Sequence, residues 1–238
     1  GATARFVVTL FKQYHGYLPE QFHSQSALPS PWPKTLLGDS PGIAVKDGEV
    51  RKLSRTIGNE ASSAWDRARK YYDWVWNEIK PQVGKYTSVS TAIKRRVGDC
   101  EERAAVFVAL CRSTGIPARL VWVPNHNWAE FGLLDLQGQF HWLPVHTAAY
   151  SWFGWTGAHE LVLQKGDRIE LPELRRPVRL VADWLSWEGR RPEPSFHAEL
   201  TPMASASGAD AGPGARKKQP SGEWAVLGTH PSDRYTRR

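Results

Sequence analysis

A chain of 238 residues with 41% hydrophobic and 23% charged residues can bury one good core and has the balance of a globular protein, which sets aside disordered and fibrous classes. The formal net charge of +7 forms no stripe, and a charge of +3 falls after residue 204 (Arg216, Lys217, Lys218, Arg234, Arg237 and Arg238 against Asp210, Glu223 and Asp233). It reads as a solvated basic surface, so no nucleic-acid partner is expected. No run approaches the roughly 20 apolar residues of a membrane span, so no membrane partner is expected either.

The first 60 residues read as a mixed N-terminal extension. Ala4 to Phe11 is a candidate strand. Leu28 to Gly42, with Pro29, Pro31, Pro33 and Pro41, reads as an extended connector, and Asp47-Gly48 as a turn. Gly1 in place of Met reads as a processed or engineered start, which leaves export and the compartment open.

A domain is expected over residues 61–203. Ala61 to Lys80 reads as an amphipathic helix, because Trp65, Ala68, Tyr72, Val75 and Ile79 recur at spacings of three and four. Pro81 is expected to end it. Ser90 to Arg96 reads as a short helix. Ala104 to Cys111 is an apolar run with both ends marked. Asp99 is a good N-cap with Glu102 three residues on, as in a capping box, and Gly115 and Pro117 supply the stop. Ala118 to Val123, His126 to Leu134 and Gln139 to Val145 read as strands, the last two as a hairpin around Asp135 to Gly138. A further strand pair is expected in Leu161 to Leu163 and Arg168 to Leu171. The order gives an α+β fold with a helix packed on an antiparallel sheet. Residues 204–238, rich in Ala, Ser, Gly, Pro and Lys, read as a disordered basic tail. The twelve Trp read mainly as large core anchors.

Cys100 falls in the first turn of the capped helix, near the positive end of its dipole, where a thiolate is favoured. Glu101 and Glu102 oppose that effect by like charge. On one helix Cys100 and Cys111 would lie about 16 Å apart, beyond disulfide reach, so both read as free thiols and Cys111 as core. A thiol nucleophile needs a base, and the base needs a third group to hold its ring. His126 opens one strand of the hairpin and His146 ends the other, so pairing would make them neighbours at one rim of the sheet. The Cys100 amide and, beside it, Tyr86 are candidate oxyanion donors. Trp128 and Trp142 are expected near the site, and Tyr150, Trp152, Phe153 and Trp155 could wall a groove. A zinc reading of Cys100, His126 and His146 finds no compact zinc spacing. No metal and no cofactor is expected.

Gly98-Asp99-Cys100, Ala104, Leu110, Gly115-Ile116-Pro117-Ala118-Arg119, His126-x-Trp128-x-Glu130 and Trp142-x-Pro144-Val145 together resemble the transglutaminase-like superfamily over roughly residues 60 to 150. The resemblance implies a papain-related fold with a Cys-His-Asp triad, Cys100 as nucleophile and His126 as general base. At the third position the usual Asp is His146 here, which can accept a hydrogen bond but carries no negative charge. The implied activity is hydrolysis of a peptide or related amide, or acyl transfer, through a Cys-acyl intermediate. The departure at His146 motivates the alternative, a catalytically inactive binding module on the same fold. Some relatives depend on calcium, but no clustered acidic loop is present to bind it.

Overall fold

The structure is a computed structural model and describes residues 5, 7, 16–158, 160–181 and 188–190. The candidate strand at Ala4 to Phe11, apart from Arg5 and Val7, and the expected disordered tail lie outside the described residues.

The first helix is one that sequence periodicity missed. Asp47 and Gly48 do not make a turn; Asp47 caps helix α1 (Gly48–Gly58), accepting the Glu49 amide at 2.8 Å. Its apolar stripe is short, Val50, Leu53 and Ile57 at spacings of three and four among Arg, Lys, Ser and Thr, and it packs that stripe on the main core. Ser63 caps helix α2 (Ala64–Glu78) through the Asp66 amide. The expected face is buried at Ala68, Tyr72 and Val75, with Tyr71 beside them. The helix stops at Glu78, before Pro81, and the backbone turns extended at Ile79. Strand β1 (Lys80–Pro81) pairs in parallel with β2 (Val97–Gly98). Between them Ser88 caps α3 (Val89–Arg95).

Helix α4 (Cys100–Ser113) is buried at every residue from Glu101 to Arg112. It has no solvent face because α1, α2 and α3 pack on one side and strands β3 and β4 on the other. The sheet contains β3 (Ala118–Val123), β4 (His126–Leu134), β5 (Phe140–His146), β6 (Trp152–Phe153) and β7 (Gln164–Lys165). Its order is β6-β5-β4-β3-β7, and every neighbouring pair is antiparallel. The expected hairpin of β4 and β5 is present, closed by Asp135, which accepts the Gln137 and Gln139 amides. Alternation along β4 divides the sheet faces. Ala129, Phe131 and Leu133 join the main core with α4, while Trp128 joins Val121 and Val123 in a separate cluster, against which Ala158 packs. Ile43, Val45 and Val50 belong to the main core, so the core draws on residues on both sides of residue 60.

The strand pair expected over 161–171 is not formed. Gln164 and Lys165 pair instead with Trp122 and Val121 at the edge of β3, and Ile169 bridges Val178. The residue that decides this is Asp167, read from sequence as part of a turn. It is buried, bonds Arg112 Nη2 through both oxygens at 2.9 and 2.8 Å, and accepts the Leu120 amide at 3.1 Å. Arg112 spends its other donors on the Ala118 and Gly38 carbonyls and on Ser40 Oγ. The pair thus ties α4 to β3, β7 and the N-terminal connector. Breaking a buried pair strands a charge, so Asp167→Ala is expected to lower stability by about 3–5 kcal/mol in urea unfolding. A loss below about 0.5 kcal/mol would contradict this role.

Candidate active site

The N-terminus of α4 is held by a closed set of hydrogen bonds. Asp99 Oδ1 accepts the Glu101 amide at 2.8 Å and the Glu102 amide at 3.2 Å. Glu102 returns Oε2 to the Asp99 amide at 3.0 Å, which completes the expected capping box. Its other oxygen accepts the amide and hydroxyl of Thr87, joining the loop before α3 to the start of α4. Burial, and then Asp99, raise the Glu102 pKa. Gly98 is required by close approach, because a Cβ there would lie 2.7 Å from Glu102 Cβ.

Cys100 is the first residue of this helix and is half-buried. The charge of Glu101 is answered by Arg179, 2.6 Å away. Arg103, one turn further on, is buried, donates to the Trp76 carbonyl at 3.3 Å and lies over the Trp76 ring. Burial lowers its pKa, while charges on Tyr72 and on the Cys100 sulfur would favour its protonated form. A cation is therefore held within electrostatic reach of the thiol. Cys111 is fully buried, with its thiol pKa pushed well up by burial.

His126 opens β4, opposite Val123. Burial pulls its pKa below the ordinary imidazole value, and the Glu160 carboxylate works against that fall. A ring that stays neutral near pH 7 is the form a general base requires. Val145 pairs with Ala129, which brings the end of β5 alongside the start of β4. The His126 and His146 ring centroids are 6.2 Å apart. His146 is fully buried, stacked on Trp128 at 4.7 Å and met edge-on by Trp152 at 4.9 Å. Its Nε2 bonds Thr156 Oγ1 at 2.8 Å, and the same oxygen accepts the Ala158 amide at 3.0 Å.

The structure thus brings His126, His146 and Trp128 together, and packs the Cys100 helix on β3 and β4. Two candidates lie elsewhere. Trp142 sits four residues along β5 from His146, where its ring meets Trp32, Phe140 and, at 4.0 Å, the Arg119 guanidinium. Tyr86 donates its hydroxyl to the Gly42 carbonyl and lies under Arg179 at 3.8 Å, so it braces the loop; acting as an oxyanion donor would require that bond to break. The aromatic segment after β5 is stacked, Tyr150 on Trp152 at 4.2 Å with Trp155 5.0 Å beyond. Among the described residues no three His, Cys, Asp or Glu converge as a metal site. Sequence reasoning missed Arg103, Arg179, Thr156 and Glu160. None sits at a motif spacing, and only Arg103, three residues after Cys100, carried a helical-face signal.

A half-buried cysteine at the capped start of a central helix, packed on an antiparallel sheet whose second strand opens with histidine, defines an α+β domain of the papain-related kind. Residues 51–155 match the family model of the transglutaminase-like superfamily, and this part of the chain is a transglutaminase-like domain. No curated protein matches. Similar solved structures include a candidate cysteine protease from Cytophaga hutchinsonii, 19% identical with a TM-score of 0.46, covering 55% of this chain and 45% of that one. Another is a candidate protease from Parabacteroides distasonis, 15% identical with a TM-score of 0.36, covering 50% of this chain and 26% of that one. The chain spans less than half the length of either.

Two outcomes follow from this geometry. Gly98→Ala should cost about 1–3 kcal/mol in urea unfolding, and less when combined with Glu102→Gly, which removes the Cβ that the added methyl meets. Strict additivity would contradict that contact. The folded-state pKa of His126 lies below the reference 6.5, so the unfolded chain binds the proton first. Stability from the neutral ring is full above about 6.5 and falls as pH drops through the folded-state value. His126→Gln should flatten that fall in unfolding measured against pH; an unchanged slope would contradict it.

Proposed function

We propose that the domain is a thiol-dependent amide hydrolase of peptidase type. The observation that supports it best is Cys100 at the first position of a buried, fully capped helix, on a sheet that presents a neutral-leaning His126. In this reading His126 takes the Cys100 proton and the thiolate adds to the amide carbonyl. The oxyanion is met by the Cys100 amide, at a helix start where the ladder does not use it. The C–N bond breaks, the proton passes from His126 to the leaving amine, and a thioester remains. Water, deprotonated by His126, then releases the acid and restores the thiol. A primary amine in place of water would give transamidation through the same intermediate. Hydrolysis is preferred because it needs no second substrate pocket.

A second reading is a binding module that keeps the fold without turnover. It is favoured by one observation, the buried, Thr156-bonded His146, an imidazole where the resemblance implies Asp. A peptide library read by mass spectrometry separates the two. Hydrolysis predicts cleavage by the wild-type chain that falls by more than about 1,000-fold in Cys100→Ala and in His126→Ala. Full activity in Cys100→Ala would overturn the enzyme, and peptide retention without cleavage would establish the module.

A further inference from the structure

We infer that Glu160 is the acidic positioning residue for His126, supplied from the segment after β6 and standing in for the aspartate that the family places where His146 lies. This rests on the proposed role of His126 as base.

Among the buried side-chain atoms that lack a hydrogen-bond partner in the described residues, a ring nitrogen and a carboxylate oxygen are complementary. His126 Nε2 is one and Glu160 Oε2 is the other. A buried ring nitrogen and a buried carboxylate oxygen left unbonded each carry a desolvation penalty, which their meeting would relieve. Glu160 is also the charged group whose field favours the protonated His126 ring. Catalytic hydrogen bonds are often long or poorly aligned before substrate binds, so an unclosed contact in a ligand-free site is ordinary.

The path of the chain accounts for the placement. Thr156 is tied to His146, Ala158 packs on Val121, Val123 and Trp128, and the Leu163 amide bonds the Trp122 carbonyl at 2.8 Å. The stretch is thus anchored at Thr156 and Ala158 and again at Leu163, beside the end of β3. Three other carboxylates of the sheet and its flanking segments are committed. Glu130 is held by Arg119 and Lys165, Asp135 by His141 at the far end of the hairpin, and Asp167 by Arg112. His146 is packed between Trp128 and Trp152 with Nε2 on Thr156, and an imidazole offers no negative charge to an imidazolium.

The test is the titration of the His126 ring by NMR in the full chain, assigned against His126→Gln. Among the described residues, the titratable groups set around that ring are Glu160 from the segment after β6, His146 at the end of β5 and, in the proposed mechanism, Cys100 at the start of α4. Glu160→Gln, which keeps shape and removes charge, should lower the His126 midpoint by about one pH unit, and Glu160→Asp should restore most of it. An unchanged midpoint in a folded Glu160→Gln chain would overturn the inference. Ultraviolet titration of the Cys100 thiolate, blanked with Cys100→Ala, keeps the two claims apart. A wild-type Cys100 that ionises like a free thiol would overturn the proposed function even if Glu160 tunes His126. An activated Cys100 with an unmoved His126 midpoint would sink Glu160 alone.

Discussion

A helix with no solvent face cannot leave its terminal amides to water, and α4 is buried from Glu101 to Arg112. An unsatisfied buried N–H costs about 1–3 kcal/mol, so the start of such a helix must be closed by protein groups. Asp99 and Glu102 close it reciprocally, Thr87 extends the closure to the preceding loop, and Gly98 leaves room for the Glu102 side chain. The reactive candidate, Cys100, stands at the one end of α4 where this closure is concentrated. Arg179 then offsets Glu101 while Arg103 stands within electrostatic reach of the thiol. The like-charge pressure implied by the Cys-Glu-Glu run is thereby met locally.

The same helix explains why the sheet divides its labour. Odd-numbered residues of β4 from Ala129 to Leu133 pack against α4 and stabilise the fold, while Trp128 lies in the cluster on the other side. That second side is covered by the segment after β6 rather than by another helix. A loop carries polar residues more readily than a packed helix face does. Thr156 bonds His146 from there, and the Glu160 carboxylate acts on His126 through its charge.

Several features were legible because they are local. The capping box at Asp99 and Glu102 is a four-residue signature, the α2 face repeats every three to four residues, and the β4–β5 hairpin is marked by alternation around a turn. The features that escaped are set by distance in space. Helix α1 carries only a short stripe, Val50, Leu53 and Ile57, which is masked by the turn signal of Asp47-Gly48 at its start. Asp167 looks like a turn residue until Arg112 reaches it across 55 positions. Trp142 shares a strand with His146 but points its ring into the Trp32 and Arg119 cluster. Glu160 follows no motif, and its relation to His126 exists only through the path of the loop. His146 was legible as a strand end beside His126, but not its burial between two tryptophans.

The central claim is that Cys100 is a working nucleophile rather than a buried thiol at a helix start. It is tested most directly by iodoacetamide labelling against pH, read by peptide mass spectrometry with the fully buried Cys111 as internal control. The account predicts rapid labelling of Cys100 that persists well below about pH 8.5, the free-thiol reference, and that is lost in His126→Ala. A Cys100 that labels along the curve of a free thiol, with no dependence on His126, would contradict it.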